Sequence, residues 1–249
     1  MTWNIEGLRR NLFNLKYFLE SYGVDLAFLS EPQTFSVDMK QLMSHIGWTF
    51  CAELNSDDKY DQEAPLFHNK SYGGTMVIWK QAIDKYVTVH PTSSTSFLPI
   101  IYNHPEAPVS VHIAIYLPTS GHETKFIAEL SQLRLLVEEL QELHPDCHIY
   151  LQGDSNVDPN NRDRAIIFSD FLTNLNLLSV PIPHKTYHHF VGEGLYDSNI
   201  DVLLHSKNVE PEHLDTVICK FDNQLVESHH DIILSTVTLP VKVPVKMRT

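Results

Sequence analysis

Eight residues of the chain combine a reactive side chain with one shared position, the end of an apolar run. Asn4 and Glu6 sit in "WNIEGL", Glu31 closes "LAFLSE", Tyr116 closes "VHIAIY", and Asp154 and Asn156 follow "IYLQG". Asp201 lies inside "SNIDVLL", and His230 is expected to open the last strand, in "ESHHDIIL". Carboxylates, carboxamides, a phenol and an imidazole are the groups that move protons and hold a divalent cation. In an extended segment residues i and i+2 face the same way. Asn4 with Glu6, and Asp154 with Asn156, are therefore expected to be two pairs that each aim at one point. Loop ends on a rigid sheet are where binding and catalytic groups collect.

Taken singly, each residue has an ordinary reading. Asp154 in "GDSN" suits a turn, Glu31 before Pro32 suits a solvated strand end, and Asn4 could cap a helix beginning near Leu8. Tyr116 reads equally as an amphipathic core aromatic, and His230 as a structural histidine. Asp201 is harder to dismiss, because a carboxylate within an apolar strand is costly unless it is paired. The doublet His188-His189 in "TYHHF" invites a metal reading, but neighbours on a strand point to opposite faces, so a shared ion is not expected.

The elements that must position these groups alternate between helix and strand. Residues 8–22 place Leu8, Leu12, Leu15 and Leu19 at helical spacing, with Gly23 as the stop. Residues 123–144 give a second helix with Phe126, Leu130, Leu133, Val137 and Leu140 on one face, and residues 163–177 a third, with Ile167, Phe171 and Leu175 four apart. Strands are expected in "VDLAFLSE", "GGTMVIWK", "KYVTVHP", "PVSVHIAIYLP", "HIYLQG", "NIDVLLHS" and "DIILSTVTL". This proportion argues for an α/β domain with layered sheets. Residues 52–71 read as a polar surface loop, and the tail 240–249 as a linker after a domain spanning 1–239. Only three residues precede Asn4, where a core strand has about 5–6, so an excised domain is expected.

Composition narrows the function classes. The chain has 249 residues, 43% of them hydrophobic, and a formal net charge of −13. A tight nonspecific nucleic-acid binder is normally basic, so any binding of DNA or RNA is expected to be local and weak. No apolar stretch reaches the roughly 18 residues that span a bilayer, and the first residues lack a secretory h-region. Cys51, Cys147 and Cys219 lack metal-ligand spacing and read as reduced thiols of an intracellular protein.

Taken in order, the polar positions resemble the endonuclease/exonuclease/phosphatase superfamily. The pattern is carried by "WNIEGL", "LSEPQT", "YLPTSG", "QGDSNVDP", "SNIDVLLHS" and "SHHDIIL", from residue 3 to about residue 238. "YGGTMVIW" also resembles a strand of the family's second sheet. "SEPQT", "YLPT" and "TYHHF" look most like the endonuclease domain of non-LTR (LINE-type) retrotransposons. Thr119 stands where the AP-repair endonucleases of the family carry Asn, which weakens an abasic-site reading.

The resemblance implies a four-layer α/β sandwich, two packed mixed sheets flanked by helices, and Mg²⁺-dependent (or Mn²⁺-dependent) hydrolysis of a DNA phosphodiester. It implies Glu31 as first metal ligand and Glu6 as second. Asp154 would orient or deprotonate the attacking water with Asn156 beside it, and Asn4 and Tyr116 would bond phosphate oxygens. His230 would bind phosphate or transfer a proton, oriented by Asp201, with Thr119, Thr186 and Tyr187 on the substrate side. A nick with a 3′-hydroxyl would prime reverse transcription in the nucleus, with DNA and other domains of a larger polyprotein as partners. A phosphatase, AP endonuclease or RNA-acting nuclease of the same fold is the alternative, as is a degenerate domain that binds a partner. One departure stands out: the family reads Ser-Asp-His at the last motif, and this chain reads Ser228-His229-His230. Asp231 should face away from His230, and an alternative alignment makes His229 the catalytic histidine. Residues 52–71 and 183–197 are the candidates for touching DNA, the latter through Lys185, Tyr187 and His188.

Overall fold

The computed structural model describes residues 1–54, 73–182, 184–191, 194–209, 214–219 and 228–238. In chain order the elements are β1 (Thr2–Asn4), α1 (Leu8–Ser21), β2 (Leu26–Ser30), α2 (Ser36–Ser44), β3 (Thr49–Glu53), β4 (Thr75–Trp79), β5 (Val87–Val89), β6 (Phe97–Tyr102) and β7 (Ser110–Tyr116). Then follow α3 (Glu123–Leu143), β8 (His148–Asp154), α4 (Arg162–Asn174), β9 (Leu177–Ser179), β10 (Tyr187–Val191), β11 (Gly194–Ser198), β12 (Asp201–Ser206), β13 (Leu214–Cys219) and β14 (Ile232–Val237).

They build two six-stranded sheets, ordered β13-β14-β1-β2-β4-β3 and β5-β6-β7-β8-β12-β9, with β10 and β11 as a separate hairpin. Each large sheet is mixed: β1 and β2 run parallel in one, β7 and β8 in the other. Their faces explain the near-continuous apolar runs. In β4, Met76 and Ile78 pack with Leu8, Leu15, Met39 and Met43 of α1 and α2, while Val77 and Trp79 pack between the sheets with Phe28, Leu98, Ile100 and Ala114. In β7 and β8, Val111, Ile113, Ile115, Ile149 and Leu151 meet Phe126, Leu133, Phe168 and Phe171 of α3 and α4. The result is the four-layer α/β sandwich. A strand buried on both faces loses the polar alternation of a half-exposed one.

Several sequence expectations are corrected. Thr75–Trp79 lies in the same sheet as Thr2–Asn4, because it pairs antiparallel with β2 from Leu26↔Trp79 to Ser30↔Thr75. The helix expected over 163–177 ends at Asn174; Asn176 takes φ 52° and Leu177 begins β9. Residues 52 and 53 belong to β3 rather than to a loop, and 55–71 lie outside the described residues, as does the tail 240–249. Among the described residues, no helix is long and apolar enough to cross a membrane.

Candidate active site

The period of the strands brings the polar residues together. Asn4 of β1, Ser30 of β2, Asp154 of β8 and Asp201 of β12 all end or begin their strands at one rim of the sandwich. The registers Asn4↔Ser30, Tyr116↔Asp154 and Asp201↔Asp154 align them. Across the sheets Thr2 Oγ1 donates to Gln152 Oε1 at 2.9 Å, and Ser30 Oγ to the Ile115 carbonyl at 3.1 Å. The same layer places the Asn4 amide against both sheets' carboxylates. Its Nδ2 donates to Glu31 Oε1 at 3.0 Å and to Asp154 Oδ2 at 2.9 Å, and the residue is fully buried. Gly153 is what allows β8 to approach β7 here: it takes φ 144°, and a Cβ would stand 2.0 Å from the Ile115 carbonyl oxygen.

Opposite Asn4, a buried chain of bonds fixes the imidazole. His230 Nδ1 lies 2.8 Å from Asp201 Oδ2, which also accepts the Thr186 hydroxyl at 2.7 Å. His230 Nε2 faces Asp154 Oδ2 at 3.9 Å. Burial pushes Asp154 up to about 7; the nearby His230 works against this and Asp201 adds to it. Burial disfavours the His230 imidazolium, but the Asp201 charge and hydrogen bond, with Asp154 and Glu6, outweigh it and raise His230 to about 9. The pair thus shares a proton that the imidazole holds more firmly.

The remaining expected residues surround this centre. Asn156 donates its backbone N–H to Asp154 Oδ1 at 2.8 Å and its side-chain amide to the Leu117 carbonyl at 2.8 Å. The Tyr116 hydroxyl bonds Glu31, and burial with the charges of Glu31 and Asp154 keeps it protonated. Glu6, Glu31, Thr119, Asp154, Asn156, Tyr187 and His230 line one cleft of about 480 Å³. Thr186 is buried behind it on Asp201, and the Tyr187 ring lies 4.8 Å from the His230 ring. A second groove, about 590 Å³, runs along α1 between Arg9 and Glu20 and holds none of these residues.

Glu6 and Asn156 reach the same cleft as Asn4 and Asp154, but not by strand alternation. The strands stop at Asn4 and Asp154, and Glu6 and Asn156 have left-handed backbones, φ 44° and 51°. Asn4 Oδ1 and Asp154 Oδ1 instead accept the backbone N–H two residues on, as in an Asx turn. Of the five non-glycine residues with positive φ among the described residues, Glu6, Glu31 and Asn156 line the cleft and Gln33 bonds Glu31; backbone strain tends to gather at such sites.

The histidine motif separates its members. His230 forms a single bridge with Tyr187, two residues before β14 begins. His229 is half-exposed and meets Glu6, not Asp201. Asp231 faces the other way, 3.1 Å from His188 Nε2, as the alternation required. His188 also binds Asp197 at 2.7 Å, so it is not a free contact for DNA, whereas His189 turns into the cleft.

No family model and no curated protein matches the sequence. Solved structures do match its shape. The endonuclease domain of TRAS1, a telomere-specific non-LTR retrotransposon, superposes with a TM-score of 0.70 at 13% identity, covering 95% of this chain and 96% of that one. The 3′ phosphatase NExo from Neisseria, bound to a product DNA hairpin, gives 0.69 at 15% identity over 95% and 98%. The AP endonuclease LMAP from Leishmania major gives 0.71 at 14% identity over 95% and 86%. The chain has the endonuclease/exonuclease/phosphatase fold.

Two donor sets on this endonuclease/exonuclease/phosphatase fold fit a divalent cation. Asp154, Asp201 and His230 offer ligand atoms within 4.8 Å of one another, and Asp201 Oδ1 is buried with no hydrogen-bond partner among the described residues. An ion bound by Nδ1 there would displace the His230–Asp201 bond. Glu31 and Glu6 face the open cleft and offer the hard oxygens that Mg²⁺ takes. Sequence reasoning missed Gln33, whose amide holds Glu31 Oε2 at 2.8 Å, and Asp158 and Tyr196 at the cleft wall. It also missed Arg164, buried beneath the cleft, which donates to the Asn156 carbonyl at 2.7 Å and to that of Pro118. An arginine in a polar first turn carries no sequence signal for such a role.

Proposed function

We propose that this chain is a divalent-cation-dependent phosphodiesterase that nicks one strand of DNA and leaves a 3′-hydroxyl, as the endonuclease domain of a non-LTR element working in the nucleus beside other domains of its polyprotein. The observation that carries the reading is the buried His230–Asp201 pair, 2.8 Å apart, facing Asp154 in a cleft whose other carboxylates are Glu6, Glu31 and Asp158. The likeness to the TRAS1 endonuclease domain over nearly the full length of both chains supports it.

Glu31, with Glu6 beside it, would hold Mg²⁺ or Mn²⁺, which polarises the scissile phosphate and stabilises the leaving oxygen. Asp154 accepts two hydrogen bonds, from Asn4 and from the Asn156 N–H, which favour its ionised form and leave it aimed to orient or deprotonate a water. His230, protonated at neutral pH, presents its Nε2 N–H to a phosphate oxygen while Asp201 and Thr186 fix the ring. Asn4 spends its amide on two carboxylates, so its part is to hold Glu31 and Asp154 in register, and the protonated Tyr116 hydroxyl orients Glu31. Thr119 and Tyr187, which line the same cleft, would meet the substrate. Alignment of this kind supplies most of the catalysis in phosphoryl transfer.

A phosphomonoesterase on the same scaffold is the second reading, favoured by the net charge of −13, which suits a small phosphate ester better than a long polyanion. Incubation with supercoiled plasmid and Mg²⁺, alongside an oligonucleotide carrying a 3′-phosphate, separates the two. Open circles that EDTA abolishes support the nuclease. Intact plasmid with release of inorganic phosphate supports the phosphatase.

A further inference from the structure

Glu6 differs from the other cleft carboxylates in what faces it. Its Oε2 accepts the His229 backbone N–H at 2.6 Å, and His229 Nδ1 lies 3.0 and 3.1 Å from its two oxygens. The His189 ring stands edge-on to the His229 ring, centroids 5.0 Å apart, and His189 lines the same cleft. Among the described residues lining that cleft there is no lysine or arginine to neutralise Glu6, Glu31, Asp154 and Asp158.

We propose that a cation held by Glu6 also takes an imidazole nitrogen from His229, with His189, whose ring centroid is 5.0 Å from that of His229, as a further donor. This edge of the cleft then selects a borderline transition ion such as Mn²⁺, Co²⁺ or Zn²⁺ over Mg²⁺. The inference rests on the cation site proposed above and adds the ion it prefers. Two donors that each sit about 2.1 Å from one ion lie about 3.0 Å apart at the right angles of an octahedral ion, and about 3.4 Å apart around a tetrahedral one. The Glu6–His229 spacing therefore suits ligands of a common ion as well as a hydrogen bond. Imidazole nitrogen raises affinity for the later divalent ions, whereas Mg²⁺ keeps oxygen ligands and its own waters. A carboxylate with two imidazoles is a donor set that zinc uses.

Co²⁺ is the probe, added to the full chain after chelator treatment. Proton NMR of the Co²⁺-loaded wild type should show an exchangeable imidazole N–H signal displaced far outside the ordinary range. His229→Asp and His229→Gln, the latter keeping a hydrogen-bonding side chain beside Glu6, should each lose it. By calorimetry His229→Asp should bind Co²⁺ at least about tenfold more weakly while Mg²⁺ affinity holds or improves. A wild type without the displaced signal, a signal that persists in both variants, or an unchanged Co²⁺/Mg²⁺ ratio would each overturn nitrogen ligation. Plasmid nicking with Mg²⁺, run in parallel, keeps the two readings apart. Nicking without the displaced signal overturns only this inference, and the signal without hydrolysis of any phosphoester overturns only the nuclease.

Discussion

The Nδ1 of His230 and the Oδ2 of Asp201 are 2.8 Å apart, both side chains are buried, and the Thr186 hydroxyl holds the same oxygen at 2.7 Å. The bond fixes which ring nitrogen faces Asp154 and holds a proton on the ring. With the folded value raised to about 9, the His230 charge stabilises the fold fully below the unfolded value near 6.5, and that stability is lost as pH rises through 9. In chelator-treated protein, the His230 ring should remain protonated at pH 8 by NMR titration. Asp201→Asn leaves burial unopposed at that side, so the ring should titrate well below the wild-type value, and cleavage should fall by about 10²–10⁴-fold. An unshifted titration in that variant would remove Asp201 as the cause.

Arg164 ties the two site loops together. Its guanidinium lies over the Phe126 ring at 4.0 Å, bonds Glu123 at 3.0 Å, and donates to the carbonyls of Pro118 and Asn156. Arg164→Met keeps most of the volume and strands two carbonyls, which should cost about 2–4 kcal/mol in urea denaturation. Arg164→Lys, a point charge without the fork, should recover only part of it. A loss below the error of the fit would show that water replaces the guanidinium at no cost.

Acid should destabilise the fold through His112. The ring is buried between the sheets, stacked 4.9 Å from Tyr150 and 5.8 Å from Phe28, and burial pushes it down to about 3. The unfolded chain takes up the proton first, so this part of the stability falls as pH drops below 6.5, by about 2 kcal/mol between pH 7 and 5. Asp154 and His230, both raised, bind protons in the fold and work the other way over this range, so the His112 part is read as a difference. His112→Phe should gain about 2 kcal/mol on the wild type between pH 7 and 5 in denaturation midpoints, and a constant difference would contradict it.

Gly153 is the least replaceable backbone position near the site. A methyl at φ 144° would meet the Ile115 carbonyl oxygen at 2.0 Å and push β8 away from β7 at the residue before Asp154. Gly153→Ala should destabilise by about 3–5 kcal/mol, read as a lowered melting temperature. A variant with unchanged melting would show that the two strands separate freely there.

The sheets were largely legible because both their faces are buried, so "MVIW", "VHIAIY" and "HIYLQG" read as strands without any alternation. Phe97–Tyr102 was not, because Pro99 argues against an interior strand, yet it pairs with β5 and β7 on either side. Short α2 and the paired strands Tyr187–Val191 and Gly194–Ser198 also escaped, lacking the length or period that marks an element. For the candidate site, the ends of apolar runs picked out side chains that the fold gathers at one rim. Which ends meet was invisible, since Asn4 and Asp154 touch across 150 residues of chain and belong to different sheets. The ordered family resemblance supplied that grouping. The left-handed turns at Glu6 and Glu31 left no trace, because neither is glycine, whereas the turn reading of "GDSN" did mark Asn156.

The central claim is that Glu31, Asp154 and His230 act on one phosphodiester and leave a 3′-hydroxyl. Its most direct test is to incubate supercoiled plasmid with Mg²⁺ and wild type, Glu31→Gln or His230→Ala, and then to add a DNA polymerase with labelled nucleotides. Wild type should yield open circles that the polymerase extends from the nick, and either variant, or EDTA, should reduce them by at least about 100-fold. Open circles formed equally by the two variants, or nicks the polymerase cannot extend, would contradict the account.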